Sequence, residues 1–142
     1  MNSANYLQLG ARRIYDVNTL WILGGVSVRI AQRLGIHREN TSGQISPFDA
    51  EMRRRTYWQI VFNDGHASKL AGAGFPTHPI FDTNHPRNLN DSDLNPSMKE
   101  LPPNKEGITE MLFWVMRSEV IKAMQTSGLV RSFLAPGGPP PG

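Results

Sequence analysis

A chain of 142 residues, 39% hydrophobic and 19% charged, has the composition of a folded domain and the length for one modest core. Lys and Arg number 15 against 12 Asp and Glu, and a net charge of +3 is too mild to be a nucleic-acid signature by itself. The absence of cysteine excludes disulfides, thiolate metal sites and thiol nucleophiles within these residues.

No stretch approaches the roughly 18 uncharged apolar residues of a membrane span. The first residues lack a basic-then-apolar leader, so the chain reads as intracellular, without an address of its own.

Residues 4–15 mix Tyr6, Leu7, Leu9 and Ile14 with Arg12 and Arg13, and read as the end of a helix whose beginning is missing. Asp16 or Asn18 can cap a second helix running to about Leu34, with Leu20, Trp21, Leu23, Val28, Ala31 and Leu34 as its apolar positions. Its small residues Gly24, Gly25, Ser27 and Ala31 predict close approach of a neighbouring helix. Gly25 costs about 1 kcal/mol of helix propensity, which tight packing would explain. Gly35 stands where helices commonly end in a left-handed residue, and Ile36 is placed to fold back in the accompanying hydrophobic contact.

After a polar loop over residues 37–45, Ser46 and Pro47 announce the principal helix. The serine hydroxyl can accept an orphan backbone N–H, and proline suits the first helical position because its missing N–H costs nothing there. Asp49 adds negative charge at the positive end of the helix dipole and an approximate capping box. Phe48, Met52, Arg55, Gln59 and Phe62 then recur at three- and four-residue steps, with Met52, Trp58 and Val61 as a neighbouring ridge, so one side is expected to be core. The helix is expected to end near Leu70.

Arg53, Arg54 and Arg55 point in directions about 100° apart and cannot share a face. Glu51, four residues before Arg55, favours a pair on that face. Arg55 is therefore expected to be buried against a carboxylate, Glu51 or Asp64. The competing reading, phosphate contact by the arginine run, needs a broader basic patch than this chain offers.

Prolines at 76, 79, 86, 96, 102 and 103 make residues 72–105 an extended, irregular segment with a single helical turn. Helical rhythm resumes through Ile108, Met111, Leu112, Val115, Met116, Val120 and Met124, starting at Thr109 or Glu110 and closed by Gly128. The final APGGPPPG has nothing to bury and is expected to be disordered. The expectation is an all-α fold, with residues 1–127 forming a partial regulatory domain and 128–142 a Gly/Pro tail.

Sites of chemistry are sparse. His37, His66, His78 and His85 show no metal-ligand spacing. The run Asn88, Asn90, Asp91, Asp93 loosely resembles a calcium loop but lacks its sixth-position glycine and twelfth-position glutamate, so it reads as a polar turn. No nucleophile elbow and no carboxylate pair for acid–base work is visible, so no enzyme is expected.

Several segments together resemble the middle homology region of fungal zinc-cluster transcription factors. They are Ile30-Ala31-Gln32-Arg33-Leu34-Gly35-Ile36-His37-Arg38, Ser46-Pro47-Phe48, Glu51-Met52-Arg53-Arg54-Arg55 with Tyr57-Trp58, Asp64, and the run at 89–94 containing Asp91 and Asp93. The resemblance covers about residues 7 to 127. It implies an all-helical regulatory domain of a nuclear transcription factor, in which DNA is bound by a separate module of six cysteines and two zinc ions, usually N-terminal. With no cysteine here, that module and its zinc lie outside these residues.

The resemblance also implies framework roles for Gly35, His37, Arg38, Ser46, Pro47, Glu51, Arg54, Arg55, Trp58, Asp64, Asp91 and Asp93. Catalytic, cofactor and metal residues are expected to be none. The expected partners are DNA through the missing module, transcription regulators or a small effector, and no membrane. The chain is expected to be a fragment. The alternatives are a basic helical module binding nucleic acid directly, or a ligand- or partner-binding scaffold without DNA binding.

Overall fold

The computed structural model describes residues 15–39, 42–74 and 82–126. The helix end expected before Tyr15, His78, the Gly128 stop and the 128–142 tail lie outside the described residues. Among those described, the fold is all-α: helix α1 (Val17–Arg33), helix α2 (Pro47–Leu70), a single 3-10 turn (Asp91–Asp93) and helix α3 (Leu112–Thr126), with no strand.

Each helix end has a local cause. Asp16 caps α1 by accepting the Thr19 backbone N–H at 3.0 Å and the Thr19 hydroxyl at 2.7 Å, bonds that hold its carboxyl below the usual carboxylate range. At the other end Gly35, at φ +70°, closes a Schellman motif in which Gly35 N–H donates to Gln32 O and Ile36 N–H to Ala31 O. Ile36 then packs on the cluster of Ala31, Tyr57 and Val61. The Ser46 hydroxyl accepts the Asp49 N–H at 3.0 Å and donates to its carboxylate at 2.7 Å, and Pro47 opens α2.

The central helix α2 carries α1 on one side and α3 on another. Its buried face follows hydropathy only in part: Trp58 and Val61 of the expected ridge are inside, but Met52 is not and charged residues take its place. Glu51, Arg55, Tyr57, Trp58, Val61, Asp64, Ala67 and Ser68 are buried, whereas Met52 is exposed. Half of that face is polar or charged, because ion pairs and hydrogen bonds satisfy its charges inside the fold.

The close approach of α1 occurs at Gly24, not Gly25. A Cβ on Gly24 would lie 2.8 Å from Asp64 Oδ1 and 3.3 Å from Asp64 Cα, while one on Gly25 would meet only the Arg29 guanidinium at 3.6 Å. Helix α3 docks through Ile121 on the core cluster and Trp114 edge-on to Phe62, ring centroids 5.5 Å apart.

Helix α3 also starts later than its rhythm predicts. Residues that would have formed its first turn bond to the preceding segment instead. Thr109 donates its hydroxyl to Asn88 Oδ1, and the Glu110 N–H donates to Asn90 Oδ1 at 3.0 Å. The described residues before it, 82–111, are irregular with one helical turn, as the prolines there predict.

Candidate functional site

The arginine run sorts itself by direction. Arg53 is exposed, Arg54 half-buried and Arg55 buried, 5% exposed. Each of the three Arg55 nitrogens donates within the fold. Its Nε donates to Glu51 Oε1 at 3.1 Å, one terminal nitrogen to Asp91 Oδ1 at 2.7 Å, and the other to the Leu89 carbonyl at 3.1 Å. The second carboxylate is therefore Asp91, from the irregular segment, and not Asp64, which sits under Gly24 at the α1 crossing.

Glu51 is wholly buried, and its charge is met from three directions. Besides Arg55, its Oε1 accepts the Arg87 backbone N–H at 2.9 Å and its Oε2 faces Arg54 at 3.5 Å. Arg54 turns toward the segment after α1. It bonds both Glu39 carboxylate oxygens, one of them in a very short contact, and that hydrogen bond raises the Arg54 pKa above its ordinary value. Glu39 in turn accepts the Asn84 N–H at 3.0 Å. One continuous ionic network thus ties the end of α1, the face of α2 and residues 82–91 together.

Trp58 adds an aromatic anchor one turn along. Its indole N–H donates to the Asn84 carbonyl at 2.9 Å, and its ring stacks on His85, centroids 5.3 Å apart. His85 Nδ1 lies 2.8 Å from the Ser118 hydroxyl, which donates to the Val115 carbonyl at 2.7 Å. With that hydroxyl proton committed to Val115, Nδ1 is placed to donate to the Ser118 oxygen. Burial lowers the His85 pKa, with nearby Lys122 adding to the effect.

Asn88 is the hub of the next stretch. Its amide donates to the Lys105 and Gly107 carbonyls at 2.8 and 3.1 Å, and its N–H donates to Asn104 Oδ1 at 3.0 Å. Asp93 accepts from Lys105 Nζ at 2.7 Å, an exposed bond that lowers the Asp93 pKa. Asp93 also accepts the Asn90 N–H at 2.9 Å. The run from Asn88 to Asp93 is therefore a self-capped turn clamped to the fold.

At 45% identity over 114 residues, the chain is similar to the aurofusarin cluster transcription factor aurR2 of Gibberella zeae, a match covering 79% of this chain and 17% of that protein. It is 38% identical over 122 residues to the pyriculol/pyriculariol biosynthesis cluster transcription factor 1 of Pyricularia oryzae, covering 84% of this chain and 16% of that protein. It is also 38% identical over 105 residues to the Zn(2)-C6 fungal-type transcription factor mpsB of Macrophomina phaseolina, covering 71% and 14%. The chain is homologous to a segment of fungal zinc-cluster transcription factors. It spans about a sixth of the length of these relatives. No protein-family model and no solved structure matches it.

Within the chain the structure brings Glu51, Arg54, Arg55 and Asp91 into one network, with Trp58 beside it. Gly35, Ser46 and Pro47 act at helix ends, and Asp64 at the helix crossing. His37 contributes its carbonyl, which accepts the Thr83 hydroxyl, and its Nε2 accepts from the exposed Arg38 at 3.2 Å. Sequence reasoning missed Glu39, Thr83, Arg87 and Asn88 as partners. A polar residue in a loop carries no signal of the distant group it bonds. Among the described residues no group of three His, Asp or Glu is placed to hold a metal ion, and no helix is long and apolar enough to cross a membrane.

Proposed function

We propose that this chain is part of the helical regulatory region of a fungal transcription factor acting in the nucleus, with DNA bound by a zinc-cluster module outside these residues. The observation that carries the reading is the 45% identity to a named transcription factor over most of the chain, joined to a sequence without one cysteine from which to build a Zn(2)-C6 cluster. The ionic network acts as a framework. It holds residues 82–111 across α2 and α3, and the resulting rigid surface relays or restrains activation through partner contacts. No catalytic step is assigned to it.

Direct DNA binding by the arginine run gains no support from the geometry. Arg54 and Arg55 are committed to carboxylates, which leaves Arg53 as the one exposed guanidinium of the three. Phosphate binding draws on several free cations.

The test is a reporter assay in a fungal host, with the full-length gene product fused to a heterologous DNA-binding domain. Arg55→Ala and Trp58→Phe are expected to change reporter output at equal protein level. Output identical to wild type for both variants contradicts a regulatory role for this framework.

A further inference from the structure

Helix α1 is apolar on two sides, and among the described residues only one of them is packed. Val28 and Ala31 face the core, each 1% exposed. On the opposite side Ile22, Val26, Ile30 and Leu34 follow at four-residue steps with Leu23 beside them. They stand in solvent, Ile22, Ile30 and Leu34 at 59%, 53% and 64% exposure. A contiguous apolar strip of this kind marks an interaction surface.

Its charge pattern says what fits. Helix α1 contains Arg29 and Arg33 and no acidic residue. Both arginines are exposed, and neither has an ion pair among the described residues. Each follows a strip residue by three positions, Arg29 after Val26 and Arg33 after Ile30, so both flank the strip on the same side, one turn apart. The other edge, at Leu23 and Ser27, carries no charge, and the Ser27 hydroxyl is turned back to the Leu23 carbonyl at 2.9 Å. We infer that this face of α1 is a docking site for an amphipathic protein helix that lays an apolar stripe over Ile22, Val26 and Ile30. Acidic residues one turn apart along one side of that helix meet Arg29 and Arg33.

The one-sided rim favours a rod over a plane. A helix lying on an anionic lipid surface turns a polar back to water. The back of α1 is instead packed on α2, and its cations sit on one edge only.

The test uses the whole chain and two fluorescent synthetic peptides of the length of α1. Both carry leucines at three- and four-residue steps, one with glutamates at i, i+4 along one edge and the other with lysines there. By fluorescence anisotropy the acidic peptide is expected to bind about tenfold more tightly at moderate salt, from two rim pairs gained and two repulsions avoided. Charge reversal by Arg29→Glu with Arg33→Glu inverts that preference, and Val26→Asp with Ile30→Asp abolishes binding of both peptides with the circular dichroism of the fold unchanged.

Equal affinity for the two peptides, or an unchanged preference after charge reversal, overturns the inference. So does tighter binding to phosphatidylserine vesicles than to the acidic peptide. A concentration-dependent dimer that Val26→Asp with Ile30→Asp dissolves, without peptide binding, assigns the face to a second copy and overturns it equally.

Discussion

Replacing Arg55 by alanine removes the hub of the network while leaving its partners in place. Three hydrogen bonds go, to Glu51 at 3.1 Å, Asp91 at 2.7 Å and the Leu89 carbonyl at 3.1 Å. Asp91 is exposed and water can replace its partner, so little of the cost falls there. Glu51 is 0% exposed and keeps only the Arg87 N–H at 2.9 Å and the more distant Arg54 at 3.5 Å. Removing one partner of a buried pair costs about 3 to 5 kcal/mol, and the contacts that Glu51 retains put this case near the lower end, about 3 kcal/mol. In a domain of this size that lowers Tm by roughly 10 to 15 °C. Arg53→Ala, two residues earlier and exposed, is expected to stay within about 0.5 kcal/mol of wild type. Thermal melts followed by circular dichroism at neutral pH compare the two. Equal, negligible shifts refute the structural assignment of the arginine run.

Gly24→Ala is expected to destabilise by about 1 to 3 kcal/mol, because its Cβ meets Asp64 at 2.8 Å. Gly25→Ala, with only the Arg29 guanidinium at 3.6 Å, is expected to gain up to about 1 kcal/mol of helix propensity; urea unfolding of the pair reads both signs. Trp58→Phe keeps the stack on His85 but loses the bond to Asn84 O, a loss of about 1 kcal/mol measurable in the same way. The folded-state pKa of His85 lies below its ordinary 6.5, so the stability it contributes is present above about pH 6.5 and is lost as pH falls through that value toward the lowered pKa. In melts at stepped pH, His85→Gln is expected to flatten the stability curve on that acidic side, and an unaltered curve would show that another group titrates there. In gel-shift assays the chain is expected to leave duplex DNA unshifted at physiological salt. A shift that falls steeply with salt and vanishes in Arg53→Glu with Arg54→Glu would restore the direct-binding reading.

Where a residue acts on its own neighbourhood, its role was readable in the sequence. Asp16, Gly35, Ser46 and Pro47 set helix ends through contacts no more than five residues apart, and composition plus spacing suffice for that. The pair Glu51–Arg55 was legible for the same reason, being one helical turn apart. Hydropathy placed Trp58 and Val61 of α2 correctly but missed Met52 and the burial of Glu51 and Asp64. A face built of Glu51, Arg55 and Asp64 looks like a solvent face until the groups that neutralise it are known. Those groups come from far along the chain: Asp91 is 36 residues from Arg55, and Glu39 is 15 from Arg54. The Gly24–Gly25 pair shows the same limit at short range, since the spacing predicts a close approach but only the crossing point of α2 decides which glycine it needs.

The central claim is that residues 82–111 are pinned to the helices as part of the fold, and native-state hydrogen exchange tests it most directly. The amides of Asn84, Arg87 and Asn88 donate to Glu39, Glu51 and Asn104, and their exchange is predicted to be slowed to a degree comparable with α2. In Arg55→Ala the amides of Arg87 and Asn88 are predicted to lose protection while those of α1 keep theirs. Exchange at the rate of an unstructured chain in the wild type, or identical protection in the variant, would contradict the account.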